Sequence, residues 1–341
     1  MYLRSIASAV PEHYFTQEEC WEILKNSDVA SQLRPGALKL AERIMLGNSG
    51  IAGRYFALPP GAGLFGATAS ELNHSFEREA PKLSGDALSK ALSRANIAAS
   101  DLDALLICTC TGYLCPGLSS YVAESLGMRS NAYLQDIVGL GCGAAIPTLR
   151  AARGQLAAEP GAKVAVVAVE VCSAAFYIDD DPGVVVSACL FGDAACAAVF
   201  ESEGESGACR FDNFDTLHRP EDRELLRFTS RGGKLRNILS PSVPDVAAGA
   251  VDQLCRRAGL QDGATVVPHP GGRDILDALE KTLPHDCAPE AREVLQRYGN
   301  VSSPSVLMVL EEVLKDPKRS GEFWLTSFGA GFSCHSCRVV R

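Results

Sequence analysis

A thiol, an imidazole and a carboxamide stand in this sequence at three turns of similar character. Residues 134–150, LQDIVGLGCGAAIPTLR, pass from a stretch that reads as a buried strand, through a small-residue turn holding Cys142, into a helix-like segment with Leu149 and Leu156 on its face. A thiol at a helix start meets free N–H groups and the positive end of the helix dipole, which favour thiolate over thiol. Gly141 and Gly143 let another molecule approach the sulfur closely. A buried structural cysteine fits this stretch equally well, so the partners decide.

The first partner is His269, in the Pro/Gly turn of ATVVPHPGGRDILDALEK, between an apolar run and a segment with Ile275, Leu276 and Leu279 at helical spacing. The second is Asn300 in YGNVSSPSVLMVLEEVL, where Ser303 is a candidate helix cap and Pro304 a candidate first helical residue. Singly, His269 reads as a core histidine and Asn300 as a turn residue. Together the three supply a nucleophile, a base and an amide donor, the parts of covalent acyl-transfer chemistry.

The elements that must position them carry a wider resemblance. DIVGLGCGAAIPTLRAA, LFGDAA, HPGGRDILDALE, YGNVSSPSVLMVLEE and the terminal FGAGF occur in the order and approximate spacing of the type III polyketide synthases, the chalcone synthase-like branch of the thiolase superfamily. IASAVPEHYFTQEE, SGIAGRYF and CTCTGYLCPGLSSYVAESLGMRS also resemble that family, so the likeness covers nearly the whole chain. Ketoacyl-ACP synthases of the type III class share the Cys, His and Asn set, and a priming condensing enzyme or acyltransferase using a carrier protein is the alternative. The HPGG and YGN-x-SS turns are more similar to the polyketide synthases.

The resemblance implies an α/β, thiolase-like fold of two duplicated halves in αβαβα layers, here residues 1–203 with the nucleophilic cysteine and 204–341 with the histidine and asparagine. It implies iterative decarboxylative condensation of malonyl-CoA onto an acyl-CoA starter held on Cys142, then cyclisation to a pyrone, resorcinol or chalcone-type product. Cys142 would be held as thiolate by the helix start and by proton exchange with His269. His269 and Asn300 would polarise the malonyl thioester. The substrates are coenzyme A thioesters; no metal, flavin or nicotinamide is implied, and the assembly is a homodimer.

Pocket positions follow residue by residue. Cys110, Thr111, Cys172, Ala175 and Ser302 match pocket-lining positions, and Phe191 the junction of tunnel and cavity. Cys115 matches a residue that reaches into the partner's cavity, and Gly233, of the pair Gly232-Gly233, a cavity-shaping glycine. Arg43 and Arg54 are candidates for the phosphates of coenzyme A; a solvated helix face explains Arg43 as well. The sequence departs from plant chalcone synthases: Arg273 replaces the proline after HPGG, SFGAG replaces GFGPG, and Cys110, Cys172 and Ala175 replace threonines. These changes leave the reaction class intact and lean toward a fatty acyl starter over a phenylpropanoid one.

Composition sets the outer bounds. With 341 residues, 47% apolar and 21% charged, the chain can bury a large core as one domain or two intimate halves. No apolar run approaches the ~20 residues of a membrane span, and the N-terminus lacks the order of a signal peptide, which points to the cytoplasm. Thirteen cysteines, an odd number, suit reduced thiols better than a disulfide framework. A net charge of −9 argues against nucleic acid or anionic membrane as partner. Cys334 and Cys337 form a C-x-x-C without the second pair a metal site wants, and on a strand they would face opposite sides.

Periodicity places the remaining elements. Residues 1–11 read as a strand, 16–24 as a helix capped by Thr16 with Glu19, and residues up to 46 as a helix entered at Pro35, with Lys39 and Arg43 on one face. A helix over 67–95 should kink or restart at Pro81. Residues 103–109 and 164–169 read as buried strands, and 118–126 and 245–258 as helices. A second strand, turn and helix set begins at Gly263, as a duplicated unit would give.

Overall fold

The computed structural model describes residues 1–58, 67–204 and 207–341. The chain opens with strand β1 (Tyr2–Ala9), strand β2 (His13–Thr16) and helix α1 (Gln17–Lys25). The Thr16 hydroxyl accepts from the Glu19 N–H while the Glu19 carboxylate accepts from the Thr16 N–H, the reciprocal cap expected from their spacing. Helix α2 (Pro35–Met45) begins on Pro35, and β3 (Gly53–Phe56) pairs with β2. Helix α3 (Ala69–Ala95) carries Pro81 inside one continuous element, so the expected restart does not occur. Its buried stripe of Leu72, Phe76, Ala80, Leu83, Leu88 and Ala91 holds it together despite the missing backbone bond.

The first half continues through β4 (Ala104–Cys108), α4 (Leu118–Leu126), β5 (Tyr133–Ile137), α5 (Ala145–Ala158), β6 (Val164–Glu170), α6 (Pro182–Leu190) and β7 (Ala194–Glu201). The second runs through β8 (Arg210–His218), the hairpin β9 (Leu226–Arg231) and β10 (Lys234–Leu239), α7 (Val243–Ala258), β11 (Thr265–Pro268) and α8 (Arg273–Thr282). It ends with α9 (Glu290–Tyr298), α10 (Ser305–Leu314), β12 (Glu322–Gly329) and β13 (Ser333–Val340). The boundary expected at 203/204 falls between β7 and β8.

Nine strands hydrogen-bond in the order β11-β12-β13-β8-β1-β7-β6-β4-β5. The two halves repeat one pairing plan. In the first, β4 lies parallel to β6, and β6–β7 and β7–β1 are antiparallel; in the second, β11 lies parallel to β12, and β12–β13 and β13–β8 are antiparallel. A parallel bridge between Val266 and Cys287 stands beside β11 where β5 stands beside β4. This register equates α5, behind Cys142, with α10, behind Asn300, and the turn after β4 with the His269 turn. The set beginning at Gly263 is therefore the counterpart of the Cys110 turn, one unit earlier than the Cys142 turn.

Side chains alternate across the sheet and define the layers. Leu106, Val166 and Ala198 face α5 and α10, whereas Leu105, Val167 and Ala197 face α3 and α4. In the second half Val267 and Leu325 face α10, and Val266 and Trp324 face α7 and α8. The result is αβαβα, with α5 and α10 in the middle and the sheet continuous through the Tyr2–Arg210 pair. Cys334 and Cys337 fall in the two opposite cores, as strand alternation requires. One expectation fails at the far edge: β5 is a strand, but Tyr133 and Leu134 are exposed because it is the last strand of the sheet. Among the described residues no helix is long and apolar enough to cross a membrane.

Candidate active site

Cys142 sits in a single helical turn, Gly141–Gly143, directly before α5, and is half-buried. That turn rests on the end of β12, where the Ser327 hydroxyl donates to the Gly143 carbonyl at 3.2 Å. His269 follows β11, the parallel neighbour of β12, and its backbone N–H donates to the Thr326 carbonyl at 2.8 Å. Its ring meets Phe328 edge-on at 5.5 Å between centroids, and the side chain is buried. A Cβ on Gly271 would lie 3.3 Å from His269 Nε2, so the HPGG turn needs glycine there to keep that nitrogen clear. Asn300 leaves α9 and bonds through its backbone to Leu190, the last residue of α6.

Hydrogen bonds tie the three turns together. The Asn300 amide nitrogen donates to the Gly271 carbonyl at 2.9 Å, and its Oδ1 accepts from the Ser302 N–H at 2.8 Å. The Ser302 hydroxyl in turn donates to Cys142 Sγ at 3.2 Å. One Asn300 amide proton is left over, available to a bound carbonyl oxygen. Ser302 makes this link from a left-handed backbone, φ 56°, a conformation that costs a non-glycine residue of order 1–3 kcal/mol and clusters at functional sites.

The electrostatics differ from the sequence expectation. Burial pushes the Cys142 thiol up to about 12, the nearby Glu170 carboxylate adding to it and the Ser302 hydroxyl opposing it. Burial alone pushes the His269 imidazolium down to about 3. Both shifts favour thiol beside neutral imidazole at pH 7. Desolvation thus opposes the thiolate that the helix start favours.

Glu170, at the end of β6, is the residue that sequence reasoning missed. Fully buried, it accepts from the Ser303 hydroxyl at 2.6 Å, the Cys110 N–H at 2.9 Å and the Thr111 hydroxyl at 2.9 Å. Burial raises its carboxyl above the usual range while these donors oppose the rise. Ser303 thus serves Glu170 and does not cap α10. The available signal was a lone charge closing the apolar run VAVVAVE.

A cavity of about 460 Å³, its open mouth included, is lined in part by Ser302, the residue that donates to Cys142 Sγ. It gathers Cys110, Thr111, Cys172, Ala175, Phe191 and Ser302, all predicted, and adds Tyr177, Phe228, Leu235 and Asn237. Leu235 and Asn237 alternate along β10, and Phe228 pairs with Asn237 across the hairpin, a period-two pattern hidden in a charged stretch. Gly233 is a correction: it turns the β9–β10 hairpin at φ 77°, outside the cavity lining. Cys115 is exposed, away from this chain's own cavity.

Arg54 is the second correction. It is 1% exposed, donates to Gln17 Oε1 and to the Ala188 and Phe191 carbonyls, and lies 4.9 Å from the Phe56 ring centroid. Its Nε and Nη1 donors bind the chain itself from a buried position, which fits an internal anchor and not a surface clamp for a coenzyme phosphate. Arg43 is exposed on α2, as is Lys39 on the same face.

Comparison with known proteins agrees with this arrangement. Residues 8–212 match the family model described as FAE1/Type III polyketide synthase-like protein, and residues 229–334 match that of the chalcone and stilbene synthase C-terminal domain. The 3,5-dihydroxyphenylacetyl-CoA synthase of Amycolatopsis orientalis is 31% identical, over 96% of this chain and 90% of that protein. The 1,3,6,8-tetrahydroxynaphthalene synthase of Streptomyces coelicolor is 29% identical over 95% of this chain and 88% of its own; its crystal structure superposes with a TM-score of 0.87, covering 100% of this chain and 99% of that one. A polyketide synthase structure from the brown alga Ectocarpus siliculosus, 23% identical, shares the fold at a TM-score of 0.91, covering 100% of this chain and 98% of the other. With its fold, its paired strand plan and both halves matched, this chain belongs to the type III polyketide synthases and is an enzyme of the acyltransferase kind.

Proposed function

We propose that this enzyme loads a starter acyl group from coenzyme A onto Cys142 and extends it with malonyl-CoA. The observation that carries the reading is the hydrogen-bond chain from Gly271 through Asn300 and Ser302 to Cys142 Sγ, which joins the three catalytic turns beside one cavity. In the first step Cys142 Sγ attacks the starter thioester while its proton passes to His269 Nε2, and coenzyme A leaves as the thiolate, so that the proton stays on Nε2 for the second step. His269 starts neutral, so it can take the proton, and the buried thiol gains nucleophilicity only as it does so.

In the second step the malonyl thioester oxygen accepts from His269 Nε2–H and the spare Asn300 amide proton. Carbon dioxide departs and the two donors stabilise the enolate. The enolate carbon attacks the acyl group on Cys142, forming the carbon–carbon bond and releasing the sulfur. The chain returns to Cys142 for further rounds, and ring closure releases the product. Removing one such donor typically costs about 2.7–4 kcal/mol in the barrier. Type III polyketide synthases do this on coenzyme A thioesters without a cofactor.

The functional unit we propose is a homodimer. Tyr113, Tyr133, Leu134 and Val138 are exposed apolar residues on and near β5, whose outer edge is unpaired among the described residues. An uncovered apolar edge strand calls for a partner, and a second copy would cover it and bring Cys115 toward the neighbouring cavity. Thirteen unpaired cysteines suit a reducing, cytoplasmic setting.

The test is mass spectrometry of products from labelled malonyl-CoA with short, long-chain and aromatic acyl-CoA starters. Label in two-carbon units, lost in Cys142→Ala, is the expected result. Acylation of Cys142 without any labelled product, but with turnover of malonyl-carrier protein, would replace this reading with the carrier-protein one.

A further inference from the structure

The cavity is apolar along Ala175, Phe176, Val184, Ala188 and Phe228, and two further residues that line it, Asn237 and Tyr177, each carry a buried polar atom without a partner among the described residues. One is Asn237 Oδ1: the side chain is 3% exposed, and this oxygen finds no donor among the described residues. The other is the Tyr177 hydroxyl, buried and without a partner among the described residues. An unpaired buried polar atom costs about 1–3 kcal/mol, so two of them in one apolar wall call for a ligand.

The orientation of Asn237 is determined by its neighbours. The Ser187 hydroxyl spends its proton on the Gly183 carbonyl at 2.6 Å, so Ser187 Oγ can only accept from Asn237, and Asn237 Nδ2 lies 2.7 Å from it. That leaves Oδ1 as the free acceptor. Tyr177 offers the complementary proton, since burial and the neighbouring Asp179 hold it as a phenol. Its ring is steadied by the Lys234 ammonium 5.6 Å from the centroid.

We propose that Asn237 and Tyr177 are specificity-determining residues that pair with an enol hydroxyl and a keto oxygen of the growing chain, selecting oxygenated, short starters over long alkyl ones. This rests on the condensing reaction proposed above. An alkyl tail in the same place would leave both polar atoms desolvated and unpaired, whereas a poly-β-keto chain satisfies them. The fatty acyl starter favoured by sequence departures alone is therefore displaced.

The experiment compares wild type, Asn237→Leu and Tyr177→Phe, with malonyl-CoA as sole substrate and with malonyl-CoA plus lauroyl-CoA. The expected result is product from malonyl-CoA alone in wild type, and a drop in kcat/KM of about tenfold in Asn237→Leu for that reaction. The lauroyl-primed reaction should be unchanged or faster. Tyr177→Phe, which removes only a hydroxyl and leaves the ring packed, should shift the ratio the same way and serves if Asn237→Leu does not fold. Equal loss in both reactions, no change in either, or a wild type that prefers lauroyl-CoA would overturn the proposal. A wild type that condenses nothing, from either substrate set, would instead sink the condensing reaction itself.

Discussion

At the residue scale the feature to test is the ionisation of Cys142, the proposed nucleophile. Burial pushes the Cys142 thiol up to about 12 and the His269 imidazolium down to about 3, and both shifts work against a resting ion pair. The thiolate fraction of such a cysteine rises tenfold per pH unit. Alkylation of Cys142 by iodoacetamide, followed by mass spectrometry of its peptide, should therefore accelerate about tenfold per unit from about pH 7 to pH 9, with no plateau. A rate already level below about pH 7 would mean that thiolate and imidazolium coexist at rest and that the neutral pair is wrong.

Elements act on the site through close backbone approaches and buried anchors. Gly329, ending β12, lies so near the Cys142 turn that a Cβ would overlap the Leu140 carbonyl and come 2.6 Å from the Gly143 nitrogen. Gly329→Ala must push that turn away from Ser302, and kcat should fall about 100-fold, since misplacing a reacting group by roughly 1 Å costs that much. A steady-state assay showing near-normal kcat would contradict the contact. Arg54 anchors β3 to α6 and α1 from within. Arg54→Met leaves three acceptors unpaired, at about 1–3 kcal/mol each, so thermal melting should drop by roughly 5 °C or more. The KM for malonyl-CoA, measured on the folded fraction, should hold; a rise in KM with unaltered melting would restore a coenzyme-binding role.

On the scale of the whole molecule, the nine-stranded sheet ends at β5, an apolar edge with no neighbouring strand among the described residues. The same element leads into the Cys142 turn, so covering the edge and positioning the nucleophile are linked. Leu134→Asp places a charge on that edge and should convert a dimer into monomer, read as a halved mass by light scattering, with activity falling in step. An unchanged mass would exclude β5 as the interface.

Sequence alone determined most of the local structure and singled out Cys142, His269 and Asn300, whose turns the fold brings together. Spacing and turn chemistry act over a few residues: Thr16 with Glu19 makes its cap whatever surrounds it, and Pro35 opens its helix for the same reason. Only tertiary structure decided what depends on distant neighbours. Pro81 stays inside one helix because the sheet buries its stripe, and Arg54 binds carbonyls more than a hundred residues away. Tyr177 and Asn237 converge on one cavity from separate elements, Glu170 holds two of its lining residues, Cys110 and Thr111, and burial opposes the ionisation that the helix start suggested for Cys142. Desolvation is a property of the packed whole, and no window of sequence contains it.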